Sequence, residues 1–396
     1  MSNVQLKSLS TPPDAQLRNI GWDWMLGTDT LPYLANEVVV VSEANIDAYH
    51  KAAGELFDLY VAAAQHVIDQ NRFAELGIPE NLVELIRLSW DDDRNIHLYG
   101  RFDLAMTDEG VKLIEFNADT ATCLPETAVV QYAHLLANNL DESRQFNAVY
   151  ETLVGQFRYL REQNAGLDAS LLLSTMRDPD GNGIPEDEAN VALLAEAARE
   201  AGFDTAIAYI DAVEFSAEEG IYRQDPFSNR FVRYDYWFKL VPWEYIADEE
   251  PDLCALLTGA VRNRRTLVLN PAYTLLFQSK YILKILWELY PNHPLLLRTE
   301  TKPLVGEPSV EKVFFGREGA NVRILEASGQ VRQEATGEYG ASPKIYQQYA
   351  TFPTDSAGNT YQAGVFYAGE PCGLGFRRGG LILDNAAQFV GHMVDG

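Results

Sequence analysis

Cysteine is scarce in this chain. The 396 residues contain three, Cys123, Cys254 and Cys372, widely spaced and odd in number, a pattern that offers neither a disulfide framework nor a CxxC metal site. No apolar run approaches the roughly 18–20 residues that a membrane span needs. The opening MSNVQLKSLSTPPDAQ has neither the basic start nor the apolar core of a secretory signal, so a reduced, cytoplasmic protein without a membrane partner is the expectation. The six histidines are scattered with no HExxH pair, and no GxSxG elbow occurs, which removes a zinc-hydrolase helix and a serine nucleophile. Internal repeats and long low-complexity tracts are also missing. Basic residues are few, 31 Lys and Arg against 57 Asp and Glu, and the formal charge of -26 argues against nucleic acid, whose phosphates need cations.

The scarce cations are concentrated. Residues 261–332 hold 11 Lys and Arg against 6 Asp and Glu, a net of +5 inside a chain whose remainder carries -31. A basic stretch in so acidic a protein suggests an anion site there, and the acidic remainder favours an amine-bearing partner. At this length two or three lobes are expected. Residues 44–72 have the three-and-four apolar spacing of a long amphipathic helix, and 126–163 suggest further helix. Residues 169–174 (ASLLLS), a loop, a helix over roughly 186–201 closed by Gly202, and a strand over 203–210 make a βαβ unit. A small α/β lobe over 165–245 therefore divides the chain, with 1–164 before it and 246–396 after it. The last part opens with a strand at 266–269 and a helix over about 276–290, and its final hundred residues read as strands with Gly-rich turns. The class is mixed α/β (α+β).

Residues 99–123, YGRFDLAMTDEGVKLIEFNADTATC, are the most informative segment. They read as two short strands about an Asp108-Glu109-Gly110 turn, with Arg101, Asp103 and Ala105 on one face of the first. Strict alternation puts Val111, Leu113, Glu115 and Asn117 on one face of the second. A three-residue loop with Gly110 at positive φ pairs Asp103 with Glu115 and Arg101 with Asn117, whereas a two-residue loop sends the two carboxylates to opposite faces. In the first register, Asp103, Glu115 and Asn117 form a hard-oxygen set suited to Mg²⁺ carrying nucleotide phosphates. An amphipathic hairpin with a solvated face fits the same residues.

Other segments carry weaker signals. Residues 178–189, DPDGNGIPEDEA, begin like an EF-hand loop but have Ala189 where a bidentate Glu is required. Glu186 and Asp187 open the following helix, where they complement its dipole or recognise an amine. In 311–324, EKVFFGREGANVRI, Lys312 precedes Gly316-Arg317-Glu318-Gly319-Ala320-Asn321, small residues that let backbone N–H groups approach phosphate oxygens while Lys312 and Arg317 add charge. This is no Walker A loop, since no GK[ST] follows. Lys280 begins the polar face of its helix and by itself reads as a surface lysine. IYQQY (345–349) could pair an adenine through its backbone, and GLGFRRGGLI (373–382) sets Arg377 or Arg378 on a late strand, where a guanidinium could meet a phosphoryl group or an oxyanion. The aromatic run YDYWFKLVPWEY (234–245) suggests packing between lobes.

In this order the segments resemble the ATP-grasp ligase domain of the glutathionylspermidine synthase family. The family's R-x-D and E-x-N-x-D-[ST]-x-[ST]-C stand here as Arg101/Asp103 and Glu115/Asn117/Asp119/Thr120/Thr122/Cys123. Its acidic pair matches Glu186 and Asp187, its helix lysine Lys280, its K-x-x-x-G-R-x-G-x-N loop Lys312 to Asn321, and its YQQ strand Tyr346, Gln347 and Gln348. The late G-x-x-[IV]-R matches Gly373 to Arg377 loosely, with Phe376 before the arginine. The resemblance implies an ATP-grasp fold of permuted order, metal hairpin before nucleotide lysines, with a small inserted α/β lobe. It implies Mg²⁺ on Asp103, Glu115 and Asn117, and ATP on Lys280, Lys312, Gly316, Arg317, Gly319, Asn321, Gln347 and Gln348. Arg101 and Arg377 would be catalytic, and Arg101, Thr120, Thr122, Glu186 and Asp187 would bind substrates. The implied reaction joins a glutathione-like carboxylate to a polyamine through an acyl phosphate. The hairpin arrives about 100 residues in, leaving no counterpart of the family's fused amidase domain, so no Cys-dependent hydrolysis is expected. Thr120 and Thr122 stand where the bifunctional synthase has serines, which leaves substrate identity open. The alternatives are a ligase of the same fold with another acid and amine, and a nucleotide-binding protein without turnover; intact Asp103, Glu115, Asn117, Lys312 and Arg377 argue against the second.

Overall fold

Apolar periodicity of two kinds builds the scaffold. In the computed structural model, which describes residues 4–27, 32–317, 319–337, 342–384 and 386–395, a seven-stranded sheet runs in the order Leu6–Ser8, Leu34–Val41, Gln388–Val394, Pro371–Gly379, Thr360–Tyr367, Gly100–Thr107, Gly110–Asn117. All its pairings are antiparallel except Gln388–Val394 with Leu34–Val41. The long helix Glu43–Asp69, capped where Ser42 Oγ accepts from the Asn45 N–H, lays Tyr49, Ala53, Leu56, Tyr60 and Ala64 against that sheet. Its Tyr60 ring meets Phe102 and Phe116 of the hairpin edge-on, with centroids 5.8 and 5.3 Å away.

The βαβ unit belongs to a parallel four-stranded sheet ordered Leu267–Leu269, Tyr236–Lys239, Ser170–Thr175, Asp204–Tyr209. Its fourth strand thus lies beyond residue 245. Both faces are covered, as parallel sheets require. Leu171, Leu173, Tyr236 and Phe238 face the helices Val149–Gln163 and Pro185–Glu200, whereas Leu172, Trp237 and Val268 join the core under Pro251–Arg262. A third, five-stranded antiparallel sheet orders Thr299–Glu300, Lys344–Gln348, Ser309–Val313, Arg323–Leu325, Val331–Glu334. A three-stranded sheet, Val213–Ser216, Gly220–Gln224, Phe231–Tyr234, completes the strands named.

Two expected helices are interrupted. The helix expected over 126–163 is a widened turn at Glu126–Val130, a helix at Gln131–Ala137 and, after a break, Val149–Gln163. Asn139 at φ 52° ends the middle piece, and the Asn138 amide ties it to the backbone of Ser10 and Thr11. The helix expected over 276–290 splits into Thr274–Gln278 and Ile282–Leu289, with Ser279 extended between them at ψ 121°. The three cysteines are free and buried, and no helix among the described residues is long and apolar enough to cross a membrane.

Candidate active site

The hairpin reaches the expected pairing by an unexpected route. Arg101 pairs with Asn117 and Asp103 with Glu115, yet the turn holds only two residues, since Thr107 pairs with Gly110. A bulge opposite Asp103 and Leu104 supplies the missing residue, Ile114. Strict alternation therefore fails on the second strand: Val111, Leu113 and Phe116 face the core under the long helix, and Glu115 lines the cavity. The bulge also frees backbone groups, and the five-stranded sheet captures them. Gln347 Nε2 donates to the Leu113 carbonyl at 3.1 Å, and Lys312 Nζ to the Ile114 carbonyl at 3.2 Å.

The cavity, about 310 Å³, lies where the hairpin, the five-stranded sheet and the C-terminal ends of the parallel strands meet. Arg101, Asp103, Glu115, Asn117, Thr120, Thr122, Asp187, Lys280, Lys312, Gly316, Arg317, Gly319, Gln347, Gln348 and Arg377 all line it. Glu186 and Asn321 do not. The Glu186 charge acts on Tyr33 and Cys123, and Asn321, at φ 55°, donates its side-chain amide to the Gly337 carbonyl at 3.1 Å. Glu318 of the same loop lies outside the described residues.

Charges in the cavity are arranged in pairs. Arg101 grips Asp103 with Nε on Oδ1 at 2.7 Å and Nη2 on Oδ2 at 3.1 Å, and gives Nη1 to the Thr122 carbonyl at 2.7 Å. Burial is the largest single influence and opposes the Arg101 charge, but the Asp103 carboxylate, with Cys123 and Glu115 adding to it, holds the group above its ordinary pKa. Asn117 Nδ2 donates to Asp103 Oδ2 at 3.1 Å. Across the ladder, Glu115 Oε2 is 3.3 Å from Lys280 Nζ and 3.8 Å from Lys312 Nζ. Burial alone would raise the Glu115 pKa; the two ammonium groups outweigh it and hold the carboxylate ionised. Lys312 is pushed down to about 8, by burial first, with Lys280 adding repulsion and Glu115 opposing.

Lys280 is a correction. It is buried in the junction between the two short helices, its N–H donating to the Phe314 carbonyl at 2.9 Å and its Nζ to the Gly316 carbonyl at 2.7 Å. The break at Ser279 turns the side chain inward, so helical spacing could not place it. The loop glycines have steric reasons. A Cβ on Gly316 would stand 2.6 Å from Val313 Cγ2, and one on Gly319, at φ 69°, 2.5 Å from the Leu383 carbonyl oxygen. Arg317 reaches back to Glu244, Nη2 to Oε1 at 2.5 Å, with its guanidinium 5.0 Å from the Tyr245 ring centre. Of the two late-strand arginines, Arg377 lines the cavity and donates to the Asp384 carbonyl at 2.7 Å, whereas Arg378 pairs with Glu37 and Gln388. Among the described residues no group of three or more His, Cys, Asp or Glu could hold a metal. Asp103, Glu115 and Asn117 fit a different case, two carboxylates and an amide oxygen facing a space where phosphates would supply the remaining hard ligands.

Several residues that shape the cavity left no trace in spacing. Gln278 Oε1 accepts from the N–H groups of Ala118 and Asp119, and Asn270 holds Leu98, Tyr99 and Asp119, so both fix the strand leading to Thr120. Gly364 lies opposite Asp103, where a Cβ would stand 2.9 Å from Arg101 Cδ, so a glycine lets Arg101 lie across the sheet. Met176, Leu240, Pro242 and Tyr245 wall the α/β side.

Residues 5–395 match the glutathionylspermidine synthase preATP-grasp family. The chain belongs to the glutathionylspermidine synthase family. A Haemophilus influenzae protein provisionally named an acid–amine ligase is 30% identical over 404 residues, covering 96% of this chain and 97% of its own. The bifunctional glutathionylspermidine synthetase/amidase of Escherichia coli is 28% identical over 328 residues, 76% of this chain and 50% of that protein. Trypanothione synthetase of Crithidia fasciculata is 26% identical over 314 residues, 74% of this chain and 46% of that enzyme. This chain thus spans about half the length of the last two. A solved glutathione synthetase-like effector of Globodera pallida shares the fold, with a TM-score of 0.53 over 98% of this chain and 100% of its own at 11% identity. As a glutathionylspermidine synthase family member, the chain is a carbon–nitrogen ligase.

Proposed function

We propose that this ligase is ATP- and Mg²⁺-dependent and joins a peptide-like carboxylate to a polyamine-like amine through an acyl phosphate, on an ATP-grasp core of permuted order. One observation carries the reading. The Asp103–Glu115 pair and two lysines from the nucleotide part share one cavity, with Glu115 Oε2 3.3 and 3.8 Å from Lys280 and Lys312. Glutathione and spermidine, the substrates implied by the Escherichia coli relative's name, are the starting candidates. The division into 1–164, a substrate lobe at 165–245 and a nucleotide-binding part at 246–396 is part of this reading, as is a reducing, cytoplasmic setting consistent with three free cysteines.

Asp103, Glu115 and Asn117 would hold Mg²⁺, whose chemistry is to offset charge on the ATP phosphates. Lys280 and Lys312 bind those phosphates, and the loop Gly316, Arg317, Gly319 covers them, with Asn321 holding its far end to Gly337. Gln347 and Gln348 present strand backbone to the base. The acid, oriented by Arg101, Thr120 and Thr122, attacks the γ-phosphorus through a carboxylate oxygen, and the bond to ADP breaks. The amine nitrogen, guided by Asp187 with Glu186 behind it, then attacks the acyl carbon. The carbon–oxygen bond to phosphate breaks and the nitrogen sheds its proton to solvent. Arg377 and Arg101 offset charge on the phosphoryl group and the tetrahedral oxygen.

The test measures ADP and phosphate release from Mg-ATP with an acid and amine panel, alongside product mass. Turnover that needs both partners, with product equal to their sum less water, supports the ligase. ATP cleavage without an amide product, or nucleotide binding with no turnover for any pair, would sink it.

A further inference from the structure

An ion pair joins two walls of the cavity. Gly316, Arg317 and Gly319 line it from the nucleotide part, and Pro242 and Tyr245 from the α/β lobe. Arg317 Nη2 meets Glu244 Oε1 at 2.5 Å, and the guanidinium stands 5.0 Å from the Tyr245 ring centre. Two further ties of the loop stay within the nucleotide part: Lys280 Nζ donates to the Gly316 carbonyl at 2.7 Å and Asn321 Nδ2 to the Gly337 carbonyl at 3.1 Å. The Glu244 end is held firmly. The preceding Trp243 gives its backbone N–H to Asp119 at 3.0 Å and its indole N–H to the Asn270 carbonyl at 3.1 Å, which fixes the start of the helix Trp243–Glu249. Glu244 is 5% exposed, and its second oxygen, Oε2, is buried with no hydrogen-bond partner among the described residues. Burial pushes the Glu244 carboxyl up, Arg317 is the strongest influence the other way, and Asp119 adds to the burial. A glutamine or leucine would fill the same space at less cost in desolvation, so what the carboxylate adds is a fixed charge for the guanidinium. A planar fork of five N–H donors can be held along one edge while another faces phosphate.

We infer that Glu244 is a positioning residue of the ligase: by seating Arg317 it docks the glycine loop on the α/β lobe and closes the cavity around the reacting groups. The inference rests on the ligase reading and adds the contact that keeps water from its acyl phosphate. Water reaching that intermediate attacks the acyl carbon, the carbon–oxygen bond to phosphate breaks, and carboxylate, phosphate and a proton leave with no amide formed. A seated loop therefore sets how much amide is made for each ATP cleaved.

Amide exchange tests the seat without any substrate. The Ala320 N–H donates to the Arg317 carbonyl at 2.8 Å, so it reports whether Arg317 is held. In hydrogen–deuterium exchange of the ligand-free chain, Glu244→Gln and Arg317→Gln should each speed this amide about tenfold, and together no more than either alone. Unchanged exchange, or effects of the two substitutions that multiply, would overturn the inference whatever the turnover assay says of the ligase. Glu244→Gln removes a buried charge at nearly constant volume and should melt like the parent; if it does not fold, Arg317→Gln, on the loop, decides alone. In turnover, ADP released per amide formed should rise about threefold or more in both variants. A ratio equal to the parent's would overturn the inference as well.

Discussion

Two carboxylate–lysine centres take their carboxylates from the segment 115–123, and they differ in distance and in enclosure. Asp119 and Lys239 meet at 2.8 Å with both side chains wholly buried. Asp119 also accepts from the Trp243 N–H at 3.0 Å, and Lys239 donates to the Val241 carbonyl at 2.7 Å while lying 4.3 Å from the Trp243 ring centre. Every position around that pair is taken by protein. Glu115 with Lys280 and Lys312 uses the same residue types at looser distances, 3.3 and 3.8 Å, on a cavity wall. A sealed pair ties the hairpin segment to the α/β lobe; an open one can exchange partners with a metal and phosphates. The difference in enclosure separates an ion pair sealed in the core from one that faces the cavity.

The comparison can be broken first at the sealed pair. Asp119→Ala leaves Lys239 buried without its partner and should cost about 3–5 kcal/mol in urea unfolding; a loss under about 1 kcal/mol would show that the pair is not structural. At the open pair the effect moves from stability to activity. Glu115→Gln should lower Mg-dependent turnover by about two orders of magnitude while the unfolding midpoint stays near the parent's, and undiminished turnover would end the hairpin's metal assignment.

A smaller effect comes from pH. Lys312 titrates at about 8 in the folded chain against an ordinary 10.5, so between those values the unfolded chain binds a proton that the folded chain does not. Its contribution to stability therefore rises with pH across that window. Nucleotide binding runs the other way, because the charged form attracts phosphate. The KM for ATP should rise as pH climbs through about 8, and Lys312→Arg should flatten that rise; a flat wild-type profile would refute the role. The smallest change concerns the acidic pair. Asp187 lines the cavity and Glu186 does not, so Asp187→Asn should raise the KM for amine several-fold and Glu186→Gln by less, both leaving the KM for ATP alone. Equal effects of the two would mean that Glu186 reaches the amine directly.

Much of the site was legible because local chemistry marks it. Asp103 and Glu115 sit in two short strands about a Gly turn, and Lys312 precedes glycines whose positions leave no room for a Cβ. Lys280 was not legible as buried, because helical spacing runs through Ser279 and gives no hint of the break. The Ile114 bulge was equally hidden, since a two-residue turn followed by a bulge gives the same Asp103–Glu115 pairing as a three-residue turn. Gln278 and Asn270 are ordinary polar residues in sequence, and their work is to hold backbone groups about 150 or more positions away.

The sequence by itself determined the mixed α/β class, the order of the motifs and many of the residue types that line the cavity, because turn chemistry, side-chain alternation and charge concentration are local properties. Tertiary structure alone decided which carboxylate–lysine pair is sealed and which is open, which of Arg377 and Arg378 enters the cavity, and that Arg317 meets Glu244 of the α/β lobe. Those outcomes depend on how sheets from distant parts of the chain meet, and enclosure, unlike periodicity, belongs to no single segment.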